Sequence, residues 1–231
     1  KLNKWEYLKK TDSISLILVS GYVSNPASTF GHSFIKLNTK ENDLFSSSVN
    51  YGALVPDNEN MLLYILKGLT GNYQSGYSDQ YFYNQDLTYR DTEFRDMWEY
   101  ELNLTEEEKD FILLHIWEIT AKKYDYYFLN KNCGFRVTEM LNLTTKKDML
   151  DKNDLWFLPI ETFQDLESFE KEKIKEVRFI PSNKRVFNAY FNELNKEEKD
   201  ITKELLKTKF ENKEKLNKME EKSKIKILDF L

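Results

Sequence analysis

The spacing of apolar residues changes along this chain, and the change marks out its elements. Ile14 to Val19 is an apolar run of strand length interrupted only by Ser15, and His32 to Leu37 alternates apolar with polar. Leu44 to Leu54 carries Phe, Ser, Val and Tyr between turn residues, so three strands able to form an antiparallel sheet are expected. The Gly68 to Gly76 stretch, GLTGNYQSG, reads as a loop or hairpin turn. An aromatic segment with Tyr77, Tyr81, Phe82, Tyr83 and Tyr89 follows, and the next strand is expected at Phe94 to Leu102. A helix then opens on a capping box, Thr105 with Glu108 three residues on, and should run to about Lys123. Phe111, Ile112, His115, Ile116 and Ile119 share one of its faces, which puts His115 among core positions. A second helix is expected to start at Cys133 behind Asn132 as its cap and to turn Phe135, Val137, Met140 and Leu141 inward.

All seven glycines precede residue 135, so a second regime follows. Glu193 to Leu231 mixes 11 Lys with 10 Asp and Glu around Ile201, Leu205, Phe210, Leu216 and Ile225. This reads as helices with a solvated face, packed in the ordinary way or laid on a membrane surface. The expected fold class is α+β: a domain over residues 1–150 and a mostly helical, charged extension over 151–231 packed on it.

With 34 Lys and Arg against 39 Asp and Glu, the net charge of -5 supplies no basic field for a nucleic-acid backbone, and no nucleic-acid partner is expected. Charged or amide residues interrupt every apolar run before the roughly 20 residues of a membrane span. A start at Lys1 rather than Met is expected of a trimmed or processed chain. The single cysteine, Cys133, excludes an internal disulfide and a multi-cysteine zinc site, and the histidines are His32 and His115. No metal or cofactor is expected, and no phosphate loop or HExxH motif occurs. The glycosylation patterns at Asn103 and Asn142 are too short to carry a role.

That scarcity concentrates the chemistry. A cysteine on the first turn of a helix meets positive potential and free N–H groups, which stabilise a thiolate, and its own N–H can point at an oxyanion. Gly134 would leave room for substrate. The plainer reading of Cys133 is a small buried residue closing a helix end. His32, after Gly31 and at the head of an alternating strand, shares a face with Phe34 and Lys36 while Ser33 and Ile35 point the other way, and it is the better base. Asn50, in SSSVNYG, is the candidate to orient the imidazole, or a turn residue ahead of Gly52. The tyrosines from Tyr73 to Tyr89 could line a substrate groove or simply pack the sheet.

The segments FGHSFIKL, VNYG, KGLTGNYQSGY, TEFRDMWEYELNLTEEE and YDYYFLNKNCGFRVTEML, in that order over residues 13 to 145, resemble the family named for Lnb, a bacterial lipoprotein N-acyltransferase (Lnb N-terminal periplasmic domain). Beyond about Leu150 the resemblance is confined to FIPSNKR. It implies a circularly permuted papain-like fold, related to NlpC-type hydrolases and the lecithin:retinol acyltransferase group, with His before Cys and an NC pair at the nucleophile, here Asn132-Cys133. The activity implied is a cysteine-dependent acyltransferase acting at a membrane surface. An acyl chain would pass from a phospholipid donor through an acyl-cysteine to the N-terminal amine of a diacylated lipoprotein, on the periplasmic or extracytoplasmic face. Cys133, His32 and Asn50 would be catalytic, and Ser33, Tyr51, Tyr127, Asn132 and Gly134, in the same segments, would bind substrate. A cell-wall peptide amidase or peptidase using the same Cys and His is the second reading, and a non-catalytic lipid- or peptide-binding module the third.

Overall fold

A computed structural model describes residues 10–23, 28–40, 42–56, 58–150, 155–211 and 213–230, so the chain ends at Lys1 and Leu231 lie outside the described residues. Seven strands, β1 (Ser13–Val19), β2 (His32–Asn38), β3 (Ser47–Ala53), β4 (Tyr73–Tyr81), β5 (Met97–Leu102), β6 (Lys123–Tyr126) and β7 (Ile174–Ile180), form one sheet in the order β6-β4-β3-β2-β1-β5-β7. Every pairing is antiparallel. Nine α-helices lie among the described residues, and the architecture is α+β. Four of the helices shape the first part of the chain: α1 (Met61–Thr70), α3 (Glu106–Ile119), α4 (Cys133–Leu141) and α5 (Pro159–Phe169), with the short α2 (Phe82–Asp86) between the first two.

The run of β1 is apolar on both faces but for the buried Ser15, because both faces of the central sheet are buried. Ile14, Leu16 and Leu18 join Ile35, Leu37 and Val49 against Ile112 and Ile116 of α3, Val137 and Met140 of α4 and Phe163 of α5. Ile17 and Val19 join Phe34, Phe82 and Met97 on the opposite face. That second face also holds Lys36, whose fully buried ammonium bonds Asp43 and, at 2.9 Å, Glu99, and lies 4.3 Å from the centre of the Phe82 ring.

Three expectations need correction. Gly68 to Gly76 is not a loop: it spans the last turn of α1, a left-handed cap at Gly71 (φ 74°) and the start of β4. In the run MLLYILKGLT the leucine stripe at i, i+4 and i+7 is flanked on both sides by further apolar residues, so it does not stand out against a polar face as a helix signal. Phe111 is exposed and His115 only half-buried, because the inward arc of α3 runs through Ile112, Leu113, Ile116 and Ile119 instead. Leu44 lies in a short 3-10 turn, Asp43–Phe45, and β3 starts after it.

The chain divides into two compact units, residues 1–180 and 181–231. Beyond residue 150, α5 and β7 belong to the first, β7 pairing with β5 from Met97↔Ile180 to Leu102↔Ile174. The second unit holds α6 (Asn183–Glu193), α7 (Lys196–Lys207), α8 (Glu214–Asn217) and α9 (Glu221–Phe230). Its core is Ile201, Leu205, Leu216 and Ile227, so three of the apolar positions noted in the sequence pack inward there, while Phe210 and Ile225 stay exposed.

Candidate active site

Gly31 sets the position of His32. Its φ of 99° is one that side chains rarely tolerate, and a Cβ there would stand 2.8 Å from the Val19 carbonyl oxygen. The chain can therefore turn tightly into β2, and His32, paired with Val19 at the end of the ladder, stands at the mouth of the sheet. Phe34 and Tyr89 flank the imidazole, each ring centre 6.0 Å away. Asn50, on β3, accepts a hydrogen bond from His32 Nε2 across 3.2 Å. An amide oxygen can only accept, so Nε2 carries the proton and Nδ1 is the ring nitrogen left for the thiol.

Cys133 reaches the same place from the other side of the sheet. Asn132 caps α4 by accepting from the Phe135 N–H at 3.2 Å, while its amide donates to the Phe128 and Phe157 carbonyls at 3.2 and 2.6 Å. Buried and engaged at both ends, Asn132 pins the first turn, and the Cys133 thiol is buried on it against the His32 ring.

The two groups polarise each other. Burial alone would push the thiol up, but the charge and hydrogen bond of His32, together with the Ser33 backbone N–H and hydroxyl, outweigh it and hold Cys133 below the ordinary thiol range. Burial alone would depress His32. The Cys133 charge and hydrogen bond and the Asn50 hydrogen bond overcome that and the opposing Arg95 charge, so the imidazole is raised. A buried thiolate–imidazolium pair is the form these directions favour, and it is the reactive form of a cysteine nucleophile.

A family model described as Lnb N-terminal periplasmic domain matches residues 1–168. The chain belongs to this family. No curated protein and no solved structure matches the chain. The matched Lnb domain spans β1 to α5 and so contains the whole Cys133, His32 and Asn50 cluster. It is a bacterial periplasmic domain, and no helix among its described residues is long and apolar enough to cross a membrane.

Within the Lnb domain the other named residues separate into two groups. Ser33 joins the cluster: it is fully buried, its hydroxyl finds no hydrogen-bond partner among the described residues, and it adds to the contributions that lower the Cys133 thiol. Tyr51, Tyr127, Asn132 and Gly134 belong to the scaffold around it. Tyr51 is buried among Tyr77, Tyr126 and the Arg136 guanidinium, with its hydroxyl on Ser75. The Tyr127 ring packs flat against Gly71, where an added Cβ would collide with it at 2.1 Å. At Gly134 the space expected for substrate is filled by α5, since a Cβ there would lie 2.7 Å from Pro159 Cα.

Of three further neighbours of the Cys133–His32 pair, the sequence marked only Tyr89, as one of the tyrosines that could line a groove or pack the sheet. Tyr89 projects from a π-helical turn, Leu87–Thr92, a distortion that tends to occur at functional sites. Arg95, buried with its guanidinium 5.0 Å from the Tyr89 ring centre, adds positive charge near His32. Tyr126 is pushed far up by burial and by the Cys133 charge, and the Cys133 backbone N–H faces its phenolic oxygen. That N–H, expected to wait free for an oxyanion, is therefore already met by a phenol. A single Tyr in a tyrosine-rich chain gives no sequence signal of such proximity.

Proposed function

We propose that this domain is a cysteine-dependent lipoprotein N-acyltransferase, and the observation that carries the reading is the buried Cys133–His32 pair oriented by Asn50 within an Lnb-family domain. Its membership supports the acceptor and donor: a diacylated lipoprotein and a phospholipid at the membrane surface. The order of the pair along the chain, His32 before Cys133, and the position of the cysteine at a helix start packed on an antiparallel sheet support a circularly permuted papain-like arrangement.

In the first half-reaction the Cys133 thiolate attacks the ester carbonyl carbon of the phospholipid. The C–S bond forms, the ester C–O bond breaks, and His32 passes its proton to the departing glycerol oxygen. In the second, the lipoprotein amine attacks the thioester carbonyl. His32 takes the amine proton, the amide C–N bond forms, and the C–S bond breaks to return the thiolate. Ser33 stabilises the sulfur whenever it carries charge.

The test is incubation of wild type and Cys133→Ala with phospholipid vesicles and a diacylated lipopeptide bearing a free N-terminal amine, with both protein and peptide weighed by mass spectrometry. A fatty-acyl increment on the peptide that requires Cys133 is the expected result. Release of free fatty acid with an unchanged peptide would make the enzyme a hydrolase, and no change in lipid or peptide would remove the acyltransferase reading.

A further inference from the structure

Helix α1 is built inside out. Leu62, Leu66 and Leu69 follow the i, i+4, i+7 spacing of a core-facing stripe, yet they are 77%, 57% and 46% exposed, with exposed Met61 and Leu63 on either flank. The buried side of the helix is the one through Gly68, where the Phe128 ring presses so closely that an added Cβ would lie 2.3 Å from it. The Phe128 N–H also bonds the Gly68 carbonyl at 2.9 Å, which fastens α1 to the segment leading into Cys133. A second apolar projection flanks the same segment. Leu155 and Trp156 are 77% and 59% exposed, and the next residue, Phe157, donates to the Leu129 carbonyl at 2.6 Å and accepts from the Asn132 cap. Leu129, on the segment that both contact, is itself exposed.

The border of this apolar surface is cationic. Lys123, Lys131 and Arg136 line a cavity of about 350 Å³ with Gln74, Tyr124 and Asp125. The Lys131 ammonium stands 5.5 Å from the centre of the Tyr127 ring, the ring that packs on Gly71 at the end of α1, so the cavity and the helix meet through one side chain. Arg136, one helical turn beyond Cys133, gives one nitrogen to Glu139 at 2.6 Å while its Nε has no hydrogen-bond partner. Leucines and a tryptophan beside lysine and arginine form the composition that seats a protein in the headgroup layer of a membrane, with apolar side chains below the phosphates and cations level with them.

We infer that α1 and Leu155–Trp156 dock the domain on an anionic phospholipid bilayer, with the Lys123–Lys131–Arg136 cavity taking a lipid phosphate beside the Cys133 helix. This rests on the acyltransferase reading for its choice of lipid as the occupant. The test, however, does not depend on turnover.

The full chain is sedimented with phosphatidylcholine vesicles containing or lacking phosphatidylglycerol. Wild type and Cys133→Ala are expected to bind the anionic vesicles equally, so a failure of catalysis leaves the result untouched. Leu62→Glu with Leu66→Glu should weaken that binding by at least about tenfold, since two apolar side chains leave the lipid. Lys123→Gln with Lys131→Gln should weaken it only on anionic vesicles and flatten its salt dependence. Trp156 reports independently of any folding defect: vesicles should shift the chain's fluorescence to shorter wavelength, and Trp156→Phe should remove that change. Unchanged vesicle binding by the double glutamate variant would overturn the inference. So would a dimer in the absence of lipid that this variant splits while wild type ignores vesicles, because a second copy would then be the occupant.

Discussion

His32 Nε2 donates to Asn50 Oδ1 across 3.2 Å, and this bond between neighbouring strands decides which ring nitrogen meets the Cys133 thiol. In the proposed reaction Asn50 therefore positions the imidazole without touching substrate. Asn50→Ala is expected to lower kcat about 10- to 100-fold with little change in KM, short of the loss seen when a charged orienting group is replaced. It should also lower the His32 pKa, because the Asn50 bond is one of the contributions that raise it. A purely structural role would lower the fraction of folded enzyme but leave the pH profile of the remainder in place.

The pH dependence of Cys133 alkylation follows from the directions of the two shifts. A lowered thiol pKa means that the reactive thiolate persists below the ordinary thiol value of about 8.5 and is lost only as pH falls through the lowered value. Iodoacetamide rates for the wild type should therefore stay high below that point. His32→Ala leaves burial opposed only by the Ser33 N–H and hydroxyl, so the rate should rise at a clearly higher pH than in wild type, and Ser33→Ala should fall between the two. A wild-type midpoint at or above 8.5 would contradict the ion pair.

Gly134→Ala separates a substrate opening from a packing contact. Because the added Cβ would meet backbone atoms of Pro159 at 2.7 and 3.1 Å, α4 and α5 must move apart, at a cost of about 1–3 kcal/mol. The expected result is a Tm lowered by several degrees in a thermal melt. A normal Tm with a raised KM would instead mean that the site is open to substrate.

Removal of the Lys36 ammonium should be costly. Lys36→Met leaves the nearly buried Glu99 and half-exposed Asp43 with Arg178 as their shared cation, so a loss of about 2–4 kcal/mol is expected in urea unfolding. Burial alone would raise Asp43, but Lys36 and Arg178 hold its pKa below the ordinary carboxylate value. Its contribution to stability is therefore complete above that ordinary value and fades as pH falls through the lowered one. In Lys36→Met part of this fading should disappear, which comparison of unfolding midpoints between neutral and acidic pH will measure.

Several features of this protein were legible from local sequence because local forces decide them. The alternation in β2, the capping box at Thr105 and the Asn132 cap ahead of Cys133 each depend on residues within a few positions, and each is present in the fold. The scarcity of Cys and His likewise reduced the candidate thiol chemistry to one cysteine and two histidines before any geometry was known, and the ordered segments around Cys133 and His32 identified the Lnb family. The tertiary structure decided what lies across space. It placed Ser33 and Tyr126 against Cys133, filled the room beside Gly134 with Pro159, and turned a leucine stripe of α1 outward. Those outcomes depend on which segments meet: a hydrophobic period shows that a face is apolar, but only packing decides whether that face finds the core.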